Sequence, residues 1–180
     1  MIKSFDELNW IITFFDNGVD LKTKGIDRVR NFTLLWNLFE TYACNKNANI
    51  NSIKQAVDNI NQSENITSET MSQYVDYFSD RYFNADGTSK QSFDGLKFDS
   101  RPNGKYVKEF VKRVLIRQIV DPKEILKALL VILYRFRNNL FHGEKKVVSL
   151  NGQIDNFKVA NHILADVLTI MKRNDLIIDK

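Results

Sequence analysis

The chain has 180 residues, long enough for one sizeable core and too short for two domains to be the default. Apolar residues make up 43% of it, with thirteen Phe, six Tyr and two Trp, which excludes disorder along its whole length. A single cysteine, Cys44, excludes an intrachain disulfide framework and fits a reducing compartment, and no apolar run approaches the length of a bilayer span.

In chain order, MIKSFDELNW carries acidic residues before any apolar core, so it does not read as a secretion signal, and a cytoplasmic protein without membrane contact is expected. Residues 4–16, with Phe5, Leu8, Trp10, Ile11, Ile12, Phe14 and Phe15, predict a first helix stopped by Asn17-Gly18. A long helix over about 27–45 follows, because Phe32, Leu35, Trp36, Phe39 and Tyr42 recur at three- and four-residue intervals. Asn37 and Glu40 are its polar interruptions. Residues 46–66 are rich in Asn, Gln and Ser, yet Ile50, Ile53, Val57 and Ile60 support a short amphipathic helix. Thr67-Ser68-Glu69 opens the next, with Tyr74, Val75, Phe78 and Tyr82 as its buried side.

Residues 84–103 contain Asp86-Gly87, Asp94-Gly95 and Pro102-Asn103-Gly104 and read as an irregular excursion or a brief hairpin around Phe93, Leu96 and Phe98. An insertion of this length in a bundle is typical of a lid or a partner surface. A helix over about 105–120 buries Val107, Phe110, Val111, Val114, Leu115 and Ile119 and turns Lys105, Lys108, Lys112 and Arg113 outward, where they are suited either to an RNA path or to a solvated face. A final helix, about 155–173, buries Phe157, Ile163, Leu164, Val167, Leu168 and Met171. The expectation is a single all-α domain over 1–180, a bundle of about six main helices with an irregular insertion near 84–103.

The richest stretch is 121–143, DPKEILKALLVILYRFRNNLFHG. Asp121 is placed to cap its first turn, Pro122 sits where its missing N–H costs nothing, and Glu124 offers the reciprocal carboxylate of a capping box. Ile125, Leu129, Ile132, Leu133, Phe136 and Leu140 share one broad face, and Gly143 ends the helix. At its C-terminal end stand Arg135, Arg137, Asn138, Asn139 and His142. Asn138 and His142 share a face, whereas Arg137 and His142 lie roughly 140° apart on an ideal helix and converge only if the last turn loosens. An arginine fork suits phosphate, and histidine is the side chain that trades a proton near neutral pH. Together they could clamp a phosphodiester and move a proton from an adjacent hydroxyl; the plain alternative is that they favour the helix dipole.

Charge supports a polyanion near this end. Residues 40–100 hold nine Asp and Glu against five Lys and Arg, whereas residues 101–146 hold twelve Lys and Arg against four Asp and Glu. No Gly-rich nucleotide loop, Glu-x-x-His repeat or other metal-site pattern is present, so neither a cofactor nor a metal is expected.

The run Arg137-Asn138-Asn139-Leu140-Phe141-His142-Gly143 resembles the Arg, four-to-six residues, His signature of the HEPN superfamily, in which a polar residue follows the arginine directly. Arg30 to Tyr42, RNFTLLWNLFETY, is similar to the aromatic-rich core helix of Apea-like and related HEPN domains. The resemblance implies a small helical bundle and a metal-independent endoribonuclease that forms a homodimer. Two signatures then share one cleft, with the ribose 2′-OH as nucleophile and a 2′,3′-cyclic phosphate as product. It implies Arg137 and His142 as catalytic residues with Asn138 holding His142 or the phosphate, a role in toxin–antitoxin or anti-phage defence, and an antitoxin or defence-system partner. Arg135, Asn139, Glu40, Lys145 and Lys112 are the expected RNA-binding or supporting residues. Arg135 with His142 also satisfies a six-residue spacing, and Arg137 is preferred because Asn138 follows it. The alternative from another class is a non-catalytic HEPN-like module that binds RNA, a nucleotide or a protein.

Overall fold

The computed structural model describes residues 6–14, 23–60, 67–100, 103–141 and 152–177. Its helices there are α1 (Glu7–Thr13), α2 (Thr23–Ala43), α3 (Ile50–Asp58), α4 (Ser68–Tyr82), α5 (Gln91–Asp94), α6 (Gly104–Leu115), α7 (Pro122–Phe141) and α8 (Ile154–Arg173), with a 3-10 turn at Phe98–Ser100. Extended pairing among the described residues is limited to one antiparallel bridge, Phe83 to Ser89, so the protein is an all-α bundle. No helix among them is long and apolar enough to cross a membrane.

α7 is the hub. Asp121 Oδ1 accepts the Glu124 N–H at 3.0 Å and starts the helix as its cap, while the Glu124 carboxylate accepts from Lys127 Nζ at 2.7 Å. The single apolar face predicted for this helix understates its burial. Leu126, Leu130 and Val131 are buried as fully as Ile125, Leu129 and Ile132, because α3, α4, α6 and α8 all pack on it. α3 begins with a capping box, Asn49 Oδ1 accepting from Ser52 N–H at 3.1 Å and Asn49 N–H donating to Ser52 Oγ at 2.9 Å. That box lets an Asn-rich segment of weak propensity form a helix.

α2 lies along α8 and runs the same way: the Asn161 amide donates to the Arg28 carbonyl, while Leu38 and Tyr42 meet Leu168, Thr169 and Lys172 farther along. α4 runs against α8, through Tyr74 to Asp166, Tyr77 to Asn156 and Arg81 to the Gly152 carbonyl. Aromatic rings join the layers. Phe32, Phe157, Phe136 and Phe78 follow one another with centroids 5.2, 6.1 and 6.0 Å apart, linking α2, α8, α7 and α4. The first helix differs from its apolar sequence: α1 buries none of its residues, and Trp10 and Phe14 stay exposed.

The 84–103 segment supplies core instead of standing away from it. Phe93, Leu96 and Phe98 are each buried, and the Phe93 ring lies 5.7 Å from Tyr82 and 5.6 Å from Phe98. Asp86 Oδ1 accepts the Thr88 N–H and hydroxyl in the tight turn before it, and α5 then carries Phe93 inward.

Gly104, the first residue of α6, sits against the 3-10 turn. A Cβ added there would fall on the Phe98 carbonyl group and 3.0 Å from Asp99 Cα, backbone atoms that no rotamer change can move aside. Gly104→Ala is therefore expected to destabilise the fold by about 2–3 kcal/mol. Gly152→Ala, where nothing lies within 4 Å of the added carbon, should stay within about 0.5 kcal/mol. Urea unfolding of the two variants beside the parent makes the comparison.

Candidate functional site

The two arginines of α7 take opposite environments. They are two residues apart, about 200° around the helix, so burying one turns the other away. Arg135 is buried, at 5% exposure, and its guanidinium donates from Nε to the Leu96 carbonyl and from Nη2 to the Lys97 carbonyl, both at 2.7 Å. Asn139, one turn later on the same face, donates from Nδ2 to the Gly95 carbonyl at 3.1 Å. These two residues, expected to bind RNA or support the site, hold the 95–97 turn against α7. Two charge-assisted bonds and one neutral bond reach the backbone acceptors of this turn, the one at Leu96 buried and the other two part-buried.

Arg137 keeps 32% of its side chain exposed. Three neighbours hold it. Its Nη1 donates to Asn138 Oδ1 at 3.3 Å, its Nη2 stands 3.9 Å from Glu40 Oε2, and its guanidinium carbon lies 5.4 Å from the centre of the Phe141 ring. At 3.9 Å the Glu40 contact is electrostatic and not a hydrogen bond. The other Glu40 oxygen, Oε1, accepts the Ala48 N–H at 3.0 Å, which fixes the carboxylate between α2 and the start of α3. Asn138 is 3% exposed, and its Nδ2 has no hydrogen-bond partner among the described residues. Phe141 was not among the expected site residues. Its position four residues after Arg137 is the spacing that makes helical side chains meet, and that is the signal that could have found it.

His142 and Lys145 lie outside the described residues. Lys112 is half-buried on α6, with no ion-pair partner among the described residues. Lys108 of the same helix is drawn in by Asp94 at 2.9 Å and Asp99 at 3.2 Å. Arg117 pairs with Asp76, and Lys127 with Asp58 at 2.7 Å. The acidic middle of the chain thus folds back onto part of its basic second half.

No family model matches the chain, and no curated protein or solved structure matches it. Arg137 offers a fixed cation at a helix end, braced by an anion, an amide and a ring. No cluster of three metal-ligating side chains occurs among the described residues. Cys44 is buried on the other flank of Glu40; burial raises its thiol to about 11, Ser52 pulls it down, and Glu40 adds to the rise. Buried and kept protonated, Cys44 belongs to the core.

Separate functions for the two arginines have a direct consequence. Arg135→Ala strips the buried Leu96 carbonyl and the part-buried Lys97 carbonyl of a charged donor and is expected to cost about 3 kcal/mol of stability. Arg137→Ala removes one partly exposed cation and should cost less than about 1 kcal/mol. Denaturant midpoints of the two variants measure the difference.

Proposed function

We propose that the protein is a metal-independent endoribonuclease of HEPN type, cleaving RNA by attack of a ribose 2′-OH on the adjacent phosphorus. The observation that carries this reading is Arg137: in a chain that buries Arg135, it keeps its guanidinium at the surface of the α7 end, five residues before His142 and directly before Asn138. The RNNLFHG run supplies the rest through its resemblance to the HEPN signature.

In the proposed reaction the 2′-oxygen forms a bond to phosphorus as the bond to the 5′-oxygen breaks. His142 takes the proton of the 2′-OH, and the leaving 5′-oxygen receives one from a general acid. Arg137 carries the negative charge gathering on the non-bridging oxygens. Asn138, which already accepts from Arg137, steadies that fork, and Glu40 keeps it from swinging away. The products are a 2′,3′-cyclic phosphate and a 5′-hydroxyl.

One histidine per site leaves the general acid unassigned. A homodimer that brings two His142 residues to one cleft supplies both proton-transfer roles. An exposed apolar stripe on α2, the helix that provides Glu40, favours such an assembly: Leu34, Leu38 and Tyr42 recur every four residues at 61%, 44% and 42% exposure. The same resemblance brings a toxin or anti-phage defence role, with an antitoxin or other protein partner, into the proposal.

Purified protein is expected to cut single-stranded RNA in the presence of a chelator. His142→Ala and Arg137→Ala should each lower the rate a hundredfold or more, about 3 kcal/mol of transition-state stabilisation, while circular dichroism shows both variants folded. A wild type that binds RNA without cutting it, and variants that bind equally well, would instead establish a non-catalytic binding module.

A further inference from the structure

A cavity of about 540 Å³ opens between α3, α6 and α7, one helical turn before Arg137. Its walls include three rings, Tyr106 and Phe110 of α6 and Tyr134 of α7, together with Asn51, Asn103 and Lys54. Among the described residues, no Asp or Glu lines it. Tyr106 is the most exposed large apolar side chain recorded among the described residues, at 79%. Asn103 stands at the N-cap of α6 in the left-handed region, φ 62°, yet its amide makes no cap hydrogen bond. Lys54 has no ion-pair partner among the described residues, in a bundle where Lys108 and Lys127 each hold two carboxylates.

We propose that this cavity is a base-binding subsite for single-stranded RNA, in which a nucleobase stacks on Tyr106. This rests on the endoribonuclease reading, since it places the subsite beside the phosphate clamp. The chemistry is that of single-strand recognition: aromatic faces accept a base of any sequence, amides meet its polar edge, and a lone cation follows the backbone. The volume lies in the range of small-ligand sites. A duplex presents no free base face, so the subsite selects unpaired RNA.

Position joins the cavity to the candidate site. Tyr134 and Arg137 are three residues apart on α7, about 4.5 Å along its axis. On the opposite wall, Glu40 Oε1 accepts the Ala48 N–H, and Asn49, the next residue, lines the cavity. A base held on Tyr106 and Tyr134 therefore leaves its phosphate on the side of Arg137. The subsite would fix which phosphodiester of a strand meets the clamp, which matters because a cation alone cannot choose among identical phosphates.

The test is equilibrium binding of fluorescently labelled 2′-O-methyl octamers, which cannot be cut, to the full chain. Octa-adenylate and octauridylate are compared with an abasic sugar-phosphate octamer of equal charge. Both base-bearing strands are expected to bind at least tenfold more tightly than the abasic one. Tyr106→Ala should remove most of that difference while leaving abasic binding unchanged, and Tyr106→Phe should retain it. Lys54→Gln should weaken all three strands alike and flatten the salt dependence. Equal binding of abasic and base-bearing octamers, or a Tyr106→Ala variant indistinguishable from wild type, overturns the subsite. Failure of the nuclease reading is distinct: base-dependent binding that needs Tyr106, in a protein that never cuts unmodified RNA, removes catalysis and keeps the subsite. Cleavage that persists with Tyr106→Ala and shows no base dependence in binding does the reverse.

Discussion

The bond pair from Arg135 to the carbonyls of Leu96 and Lys97 is the constraint around which the bundle closes. A guanidinium taken into the interior costs several kcal/mol unless its donors are met, and carbonyls of an irregular turn have the same need in reverse. Each supplies what the other lacks. The pairing fixes the 95–97 turn to α7, and with it the buried Phe93, Leu96 and Phe98 that extend the core beyond the long helices. It also fixes the rotation of α7 about its own axis. With Arg135 and Asn139 directed to that turn, helical geometry leaves Arg137 and Phe141 to the other side, where α2 presents Glu40. The exposure of one arginine thus follows from the burial of the other.

Charge across the molecule follows a similar logic of pairing. In sequence the second half looks like a free basic surface. In the fold, Asp58, Asp76, Asp94 and Asp99 from the acidic middle meet Lys127, Arg117 and Lys108. The carboxylates of these pairs are more than half exposed, so each pair contributes little to stability, but it neutralises a cation that a polyanion could otherwise meet. Among the described residues, Lys54 and Lys112 stay outside these pairs.

How far the sequence could be read depended on the range of the interaction. The capped start of α7, the three- and four-residue periodicity of α2, and the Thr67-Ser68-Glu69 start of α4 are local patterns, and each has its helix. Arg135 was read as a binding residue beside Arg137 because its partners, Leu96 and Lys97, lie nearly forty residues away and are backbone atoms with no signature of their own. The 84–103 segment reads locally as an excursion or a brief hairpin around Phe93, Leu96 and Phe98 because of its Gly, Asp and Pro residues, and the burial of those three side chains decides its place. The cavity beside Tyr106 has no sequence signature for the same reason: Lys54, Tyr106 and Tyr134 belong to three helices, and only packing brings them together. Glu40 was singled out as a polar interruption of the apolar α2 pattern, whereas Phe141, one more apolar residue inside RNNLFHG, carried no such contrast.

Catalysis by the proposed route depends on one atom of the substrate, the 2′-oxygen next to the scissile phosphate, because no other nucleophile is assigned. The decisive measurement uses an RNA with a single preferred cut site, prepared with and without a 2′-deoxy sugar at that site, incubated with wild-type protein and a chelator. The proposed chemistry predicts that the all-ribose strand yields a 2′,3′-cyclic phosphate end and that the deoxy-substituted strand stays intact at that position. Equal cleavage of both strands there would contradict it.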